Sequence, residues 1–224
     1  MPHRTVWQTF RLMVYPHPHP SARPQATWEE YLALEARSEE RYEYHDGEIV
    51  AMAGASNQHN EIITNTTLAL KPGALAQGCK YFAETTKLFR HQSPRYLYPD
   101  AMVTCPPLDL QAKNGVRSPL LVVEVLSDSS RRKDRSFKLR EYLGLPSLHH
   151  YLLVEQEYVE VQHFQRAGAD SWHIHFYDDL AQGIDLPELA LTLPLAALYA
   201  GITFGPEGEL LREEMAPYDS DSED

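Results

Sequence analysis

The sequence predicts an α/β fold of the α+β type, in which helices pack on a mixed β-sheet. Three observations support this prediction. The 224 residues are 43% hydrophobic, which suits one globular domain with a substantial core. Short apolar runs of strand length occur along the chain between segments of helical period. Their order, helix, hairpin, helix, three strands, helix and further strands, is typical of a mixed sheet covered by helices.

Local signals support the individual elements. Thr27 followed by Glu30 is a capping-box pattern that opens a helix. Asp46-Gly47 is a strong hairpin-turn signal, and Pro72 is expected to end the second helix. The predicted elements, in chain order, are a helix over 27–40, a hairpin over 42–52, a helix over 58–70, strands over 80–90, 98–104 and 120–127, a helix over 132–145, strands over 150–155, 158–166 and 172–177, and a short helix over 195–199.

Composition divides the chain into three parts. Residues 1–25 are rich in proline and lack periodicity, which predicts a flexible N-terminal extension. Residues 26–206 form the predicted domain. Residues 207–224 hold eight acids against Arg212, which predicts a disordered acidic tail. The formal net charge of −12 argues against broad electrostatic binding of nucleic acid, so any such contact has to be local.

The sequence also predicts a cytoplasmic protein. No apolar run approaches the roughly 20 residues that a membrane-spanning helix needs, and no apolar stretch with a small-residue cleavage site follows the first basic residues. The two cysteines, Cys79 and Cys105, are weak evidence for an oxidising compartment. We therefore expect both of them to be free thiols, and we expect no contact with membranes.

Asp100 and Glu124 are the strongest candidates for chemistry, because each lies inside an apolar run that predicts a buried strand. Burying a charge is costly unless a metal ion or a cation neutralises it. If the two strands pair, the carboxylates converge at one end of the sheet, where Mg²⁺ binds oxygen ligands and the carbonyl of Val125 adds another. The structural alternative is that Asp100 caps a turn and Glu124 pairs with an arginine.

A basic segment follows these strands. Residues 131–140 hold six bases and one acid within an acidic protein. Bases near a helix N-terminus oppose the helix dipole, so this arrangement indicates an anionic partner. Lys138 could lean back towards Glu124 and orient water or stabilise a transition state. The alternative is a solvated helix face with an ordinary pair between Asp134 and Lys138. The acids and this segment together predict a metal-dependent phosphodiesterase.

Four further residues are weaker candidates. His59 shares the apolar stripe of the second predicted helix, so it is either a structural core histidine or a catalytic one. Glu43, in the hairpin, could reach the same cleft. His173 and His175 share a strand face and could bind zinc, but no third ligand is evident, so we expect them to be exposed edge histidines.

Several short segments, in this order and at this spacing, resemble the Uma2 (Uma-two) family, a bacterial branch of the PD-(D/E)xK restriction-endonuclease superfamily. The resemblance covers about residues 27–166. The segments that carry it are 41–48 (RYEYHDGE), 55–60 (ASNQHN), 98–100 (YPD), 123–127 (VEVLS) and the trio Asp134, Lys138 and Tyr142.

The resemblance implies a restriction-endonuclease-like fold and Mg²⁺-dependent cleavage of DNA phosphodiesters, with Mn²⁺ as a substitute. It makes Asp100 and Glu124 the two acids of the motif. The superfamily places a lysine two residues after the second acid, where this chain has Leu126. In this branch the lysine lies in the following helix, which matches Lys138. A homodimer would suit cleavage of both DNA strands. The missing lysine keeps an alternative open, an inactive nuclease fold that binds nucleic acid or a protein.

Overall fold

The computed structural model describes residues 8–11, 25–52, 54–89, 95–127 and 137–205. It confirms the predicted fold class, because mixed sheets are flanked by helices throughout this part of the chain. The strands are β1 (Gln8–Arg11), β2 (Tyr42–His45), β3 (Glu48–Ala51), β4 (Lys80–Ala83), β5 (Leu88–Phe89), β6 (Arg95–Leu97), β7 (Ala101–Thr104), β8 (Pro119–Leu126), β9 (His150–Glu155), β10 (Val161–Arg166), β11 (Ser171–Tyr177), β12 (Gly183–Leu186) and β13 (Leu191–Pro194). The helices are α1 (Trp28–Arg37), α2 (Asn57–Ala76), α3 (Pro107–Gln111), α4 (Leu139–Leu143) and α5 (Leu195–Leu198), and a 3₁₀ turn covers Pro187–Leu189.

Seven strands form the main sheet, in the order β1-β11-β10-β9-β8-β7-β4. Among the described strands, only β8 and β9 pair in parallel. A second sheet of four short strands, in the order β3-β2-β6-β5, lies beside the end of the main sheet where β7 begins and β8 ends. We call it the small sheet. Strands β12 and β13 form a separate hairpin.

Strand β8 passes through the centre of the core and is buried on both faces. Leu121, Val123 and Val125 pack into one apolar cluster, which also contains α2 and the β12–β13 hairpin. Val122 and Leu126 pack into a second cluster, which contains residues of α4 and β9. Because side chains alternate along a strand, Glu124 shares the face of Val122 and Leu126. The fold therefore places a carboxylate inside the second cluster.

The predicted helix cap and hairpin turn in the first part of the domain are confirmed. Thr27 accepts a hydrogen bond from the Glu30 amide, and Glu30 accepts one from the Thr27 amide, so the capping box opens α1. The β2–β3 hairpin turns at Asp46 and Gly47, whose φ angles are +48° and +96°. Two successive positive φ angles are the reason that Asp-Gly is favoured at this turn.

Helix α2 continues past the residue that was predicted to end it. Pro72 lies inside the helix, which runs to Ala76. The final turn is held by tertiary packing, because Ala74 is buried and Gly73 lies directly against Leu191. A Cβ on Gly73 would come within 2.2 Å of the Leu191 side chain. Packing of the helix on β13 thus outweighs the local cost of proline.

One predicted strand is divided between the two sheets, and another is shorter than predicted. The 80–90 segment forms β4 in the main sheet and β5 in the small sheet, with Glu84 at φ +46° between them. The 98–104 segment contains only β7, and Asp100 occupies the bend just before this strand. Of the predicted helix over 132–145, the described part is α4, preceded by a wide helical turn at Phe137 and Lys138.

The cysteine prediction was wrong. Cys79 and Cys105 form a disulfide. Strands β4 and β7 pair with Lys80 opposite Thr104, so the two cysteines lie opposite each other one position beyond this pair. This pairing joins segments that are far apart in sequence, and nothing in the composition of the chain indicated it.

The N-terminal region also departs from the prediction of a flexible extension. Gln8–Arg11 forms β1, which pairs with β11 at the edge of the main sheet. The remainder of the predicted extension and the acidic tail lie outside the described residues. No helix in the described ranges is long and apolar enough to span a bilayer. The cytoplasmic location stays a prediction.

Candidate active site

A cleft of about 440 Å³ lies between the small sheet and the end of the main sheet where β7 begins and β8 ends. Antiparallel pairing of these two strands puts the start of one beside the end of the other. The structure brings the strongest candidates and two of the weaker ones into this cleft. Those lining it are Glu43, His59, Asp100, Glu124, Val125 and Lys138, which we call the cleft cluster.

Asp100 is fixed by the neighbouring strand and by α2. Its Oδ2 accepts a hydrogen bond from the Val125 amide at 2.7 Å and lies 3.3 Å from Nε2 of His59. Its backbone carbonyl accepts a hydrogen bond from the Glu84 amide at 3.0 Å. The carboxylate is only partly buried, so it faces the cleft while its orientation is held by protein groups.

Glu124 is almost fully enclosed, with 1% of its surface exposed. Both of its oxygens accept hydrogen bonds from Nζ of Lys138 at 3.1 Å, and Oε1 also accepts one from the Tyr142 hydroxyl at 2.5 Å. Burial, together with the nearby Glu124 charge, raises the pKa of Tyr142. The phenol therefore remains a hydrogen-bond donor, and Glu124 is held by two donor side chains, those of Lys138 and Tyr142.

Lys138 is the cation of the cluster. Its amine is buried between Glu124 and Glu43, whose Oε1 lies 3.4 Å away. Leu126, at the usual lysine position of the motif, is buried in the core cluster that contains Tyr142. The amine therefore reaches the second acid from the turn before α4 instead of from β8. The rest of the basic segment, residues 131–136, lies outside the described residues.

Glu43 is a third buried carboxylate in the cluster, and the sequence supported it only weakly. It belongs to β2, and its Oε1 accepts a hydrogen bond from the Tyr98 amide at 3.4 Å. Its Oε2 lies 3.2 Å from Nε2 of His45. The sequence also missed Tyr142 as the partner of Glu124. The sequence signal that could have identified Tyr142 is its spacing from Lys138, because residues one helical turn apart lie on the same face of a helix.

His59 lies at the start of α2, where its amide donates to the capping hydroxyl of Ser56. Burial alone would lower the pKa of His59, but the Asp100 hydrogen bond and charge raise it. The Glu84 charge and the Val125 carbonyl act in the same direction, and the net pKa is raised. A histidine with a raised pKa beside a carboxylate is able to take up and release a proton, so acid–base chemistry by His59 stays a prediction.

The residues of the cleft fit a hard divalent cation. Asp100 and Glu124 provide carboxylate oxygens, and Val125 lines the same cleft. Within the described ranges, no group of three or more His, Cys, Asp or Glu residues is arranged to hold a metal ion. Mg²⁺ does not need such a group, because it commonly binds through one or two carboxylates and keeps several waters.

The strand histidines differ from their prediction. β1 covers β11, so β11 is not an edge strand, and His175 is buried against His163 of β10. His163 accepts or donates a 2.9 Å hydrogen bond with His150 of β9, and His150 contacts Glu188 at 2.6 Å. We call His150, His163, His175 and Glu188 the histidine row. It lines neither of the two larger described clefts.

Comparison with known proteins agrees with this architecture. Residues 28–197 match the model of the Uma2 family, described as "Putative restriction endonuclease". The uncharacterized protein slr1290 of Synechocystis sp. (strain ATCC 27184 / PCC 6803 / Kazusa) is 33% identical over 181 residues, which cover 81% of this chain and 95% of the relative. The uncharacterized protein sll1609 of the same organism is 34% identical over 145 residues, covering 64% of this chain and 82% of the relative.

A solved structure has the same fold. It is a "putative nuclease belonging to DUF820" from Anabaena variabilis ATCC 29413, which superposes with a TM-score of 0.63 at 17% sequence identity. The superposition covers 76% of this chain and 96% of the other one. The family model spans most of the chain, including every residue of the cleft cluster, and we conclude that this protein belongs to the Uma2 family.

Proposed function

We propose that this protein is a Mg²⁺-dependent DNA endonuclease that hydrolyses phosphodiester bonds. The observation that supports this most strongly is the convergence of Asp100, Glu124 and the Lys138 amine in one cleft. Two acids at neighbouring strand ends, with a lysine from the turn before α4, match the chemistry that phosphodiester hydrolysis needs. Membership of a family described as restriction endonucleases supports the same reaction and DNA as the substrate.

Asp100, Glu124 and the Val125 carbonyl would hold Mg²⁺, and Mn²⁺ would substitute. When bound, the ion would activate water and offset the charge that develops on the phosphate. The Val125 amide keeps Asp100 oriented towards the cleft. The Tyr142 hydroxyl donates a hydrogen bond to Glu124 and so fixes the orientation of this side chain. Each acid is therefore held by the protein before any ligand binds, which reduces the reorganisation needed for catalysis.

Lys138 would stabilise negative charge, and His59 would transfer a proton. The Lys138 amine lies beside Glu124, where it can donate a hydrogen bond to a water or to a phosphate oxygen. His59 has a raised pKa and lies 3.3 Å from Asp100 in the same cleft, so it can donate a proton to the departing oxygen. A homodimer would present two such clefts, one for each DNA strand.

The test is nicking of supercoiled plasmid with Mg²⁺ or Mn²⁺. Asp100→Asn keeps the shape of the side chain but removes its charge, and we expect it to lower the nicking rate at least about 100-fold. Asp170→Asn, an exposed acid in the loop between β10 and β11, serves as the matched control and should nick normally. Unchanged nicking by Asp100→Asn would refute the proposal.

One observation favours a second candidate, a nuclease fold that binds nucleic acid or protein without cleaving it. Lys138 already contacts both oxygens of Glu124, so a lysine can balance this acid without a metal. This candidate predicts no nicking and no change of melting temperature with Mg²⁺ or Mn²⁺. A metal-dependent rise in melting temperature that is lost in Glu124→Gln would exclude it.

A further inference from the structure

A second cleft, of about 680 Å³, lies on the other side of the β4–β5 connection from the cleft cluster. Helix α1, the small sheet and the loop that precedes β8 form its walls. Its lining combines aromatic rings with basic side chains, and we call it the basic groove. The residues that define it are Trp28, Phe89, Tyr96, Lys113 and Arg117.

The charge of this groove is opposite to that of the rest of the protein. The chain carries a net charge of −12, but no carboxylate is among the described residues that line the groove. Lys113 and Arg117 are exposed, and neither makes an ion pair with another described residue. Lys87 also lines the groove, but its charge is balanced by an ion pair with Glu35. The groove is therefore a local positive site of the kind that an acidic nucleic-acid-binding protein requires.

The aromatic rings form an ordered platform. Trp28 and Tyr96 stack with their centroids 4.2 Å apart and their planes 13° apart. Phe89 meets Tyr96 edge-on, with centroids 4.8 Å apart. All three rings are partly exposed to solvent. The Arg117 guanidinium lies 5.1 Å from the Phe89 centroid, so a cation and a ring face occupy adjacent positions. This combination suits unpaired nucleotides, whose bases stack on rings while their phosphates contact cations.

The loop that precedes β8 packs directly against Phe89 and β5. Gly115 has φ +105°, and a Cβ at this position would lie 2.6 Å from both the Lys87 carbonyl and the Phe89 ring. The Val116 amide donates to the Lys87 carbonyl at 2.8 Å, and the Phe89 amide donates to the Val116 carbonyl at the same distance. The loop that presents Lys113 and Arg117 is thus fixed to β5, and the groove exists before a ligand binds.

The groove is adjacent to the proposed catalytic acids. Glu84 lines the cleft of Asp100 and donates its amide to the Asp100 carbonyl, while the next two residues, Thr85 and Thr86, line the groove. A chain lying in the groove would therefore pass the β4–β5 connection and arrive at the first motif acid. A duplex cannot offer its base faces to the aromatic platform, because they are stacked on each other.

We propose that the basic groove binds an unpaired DNA strand that continues from the scissile phosphate. The inference rests on the proposed nuclease function and deepens it, because it makes a junction between single-stranded and double-stranded DNA the preferred substrate. Lys113 and Arg117 bind phosphates, and Trp28 with Phe89 provides the surface for the bases.

Binding is tested separately from cleavage. Fluorescence anisotropy would use full-length Asp100→Asn protein, no divalent ion, and a labelled single-stranded DNA of about 16 nucleotides, the upper range for one site of this type. We expect Lys113→Glu/Arg117→Glu to weaken binding at least about tenfold, and this loss should shrink as salt is raised. Lys71→Glu/Lys80→Glu changes the charge equally at exposed lysines outside the groove and should weaken binding less than about twofold. Equal weakening by the two double variants would overturn the proposal.

Two further arms identify the ligand. Trp28→Leu should weaken binding of single-stranded DNA and leave a residual loss at high salt, since stacking is not ionic. A duplex of the same length should bind more weakly than the single strand, and an RNA of the same sequence should not bind more tightly than the DNA. A preference for duplex or for RNA would each refute the assignment.

Cleavage then separates the two proposals. With Mn²⁺, the otherwise unmodified protein should cut a duplex with a single-stranded arm faster than a plain duplex, and Lys113→Glu/Arg117→Glu should remove this preference. Specific binding without any cutting would support the groove and overturn the nuclease function. Cutting that shows no preference for the arm would support the nuclease function and overturn the groove.

Discussion

Two buried histidines in this protein have pKa values that shift in opposite directions. His59 of the cleft cluster and His163 of the histidine row are 7% and 1% exposed. Burial lowers the pKa of both, but His59 faces Asp100 and its net pKa is raised. His163 faces two other histidines, His150 and His175, and its pKa falls to about 3. Burial is the largest single influence on both pKa values; beside a carboxylate it is outweighed, whereas beside other histidines it prevails.

The cleft cluster and the histidine row therefore accommodate buried ionisable groups in different ways. The cleft cluster pairs the carboxylates of Glu43 and Glu124 with the Lys138 amine beside an open cleft. The histidine row keeps its rings neutral in the core, and only Glu188 is charged, with an exposed side. Paired ionisable groups that line a cleft are the arrangement expected of the proposed reaction site, whereas neutral groups enclosed in the core are typical of a structural role.

The largest effect should come from removing the cation of the cleft cluster. Lys138→Met keeps most of the side-chain volume but leaves Glu124 and Glu43 without their shared amine. We expect a loss of about 3–5 kcal/mol in the free energy of unfolding, because a buried charge loses its partner. Urea denaturation at pH 7 measures this loss.

Two comparisons sharpen that result. Glu188→Gln removes the charged group of the histidine row, but it breaks only hydrogen bonds of a partly exposed side chain, so it should cost about 1 kcal/mol. Adding Glu124→Gln to Lys138→Met should recover part of the lost stability, because the uncompensated charge is removed as well. Similar losses in Lys138→Met and Glu188→Gln would contradict the distinction between the two regions.

The second effect is acid sensitivity of the histidine row. The pKa of His163 is about 3 in the folded protein and ordinarily about 6.5 when unfolded. Its contribution to stability is complete above the unfolded value and is lost as the pH falls towards the folded value. Between pH 7 and pH 5 the loss from His163 alone is about 2 kcal/mol. The lowered pKa values of His150 and His175 act with the same sign.

The measurement is urea denaturation of the wild type and of His163→Gln at pH 7 and pH 5. The wild type should lose about 2 kcal/mol more than the variant over this interval. His173→Gln, a histidine of the same strand region outside the row, should lose as much as the wild type. An identical pH dependence in His163→Gln would show that His163 is not the group responsible.

The sequence predicted those features of the fold that depend on residues close together in the chain, and it missed those that depend on residues far apart. The capping box of α1 and the Asp46-Gly47 turn were predictable, because each is decided by a few neighbouring residues. The continuation of α2 past Pro72 was not, because Leu191, which packs against its last turn, is more than one hundred residues away. The Cys79–Cys105 disulfide was missed for the same reason.

In the candidate site, too, some residues were predictable from their local sequence, whereas others become evident only in the folded arrangement. Asp100 and Glu124 were predictable as acids in apolar runs, and family resemblance selected Lys138. The sequence placed Asp100 within its strand, whereas the structure puts it in the bend before β7, where the Val125 amide holds it. Glu43 and Tyr142 complete the surroundings of Lys138 and Glu124, and only the folded arrangement brings them there. The basic groove joins three distant segments, and no single one of them carries a motif.

The smallest effect, and the most direct test of the comparison, is the pKa of His59 itself. Asp100→Asn keeps an oxygen that can accept from the Val125 amide, but it removes the charge that opposes burial. The pKa of His59 should then fall below its ordinary value, in the same direction as that of His163. NMR titration of the His59 ring, assigned with His59→Gln, measures the change.

Glu84→Gln is the graded control for this titration, because Glu84 acts on His59 through its charge and not through a hydrogen bond. It should lower the pKa of His59 less than Asp100→Asn does. The effect of His59 on stability is opposite in sign to that of His163. The raised pKa of His59 stabilises the fold at pH values below the unfolded pKa, and this contribution is lost as the pH rises through the folded pKa. If His59 kept its raised pKa in Asp100→Asn, the carboxylate would not be what separates the two histidines, and the contrast between the regions would have to rest on the backbone carbonyl of Val125.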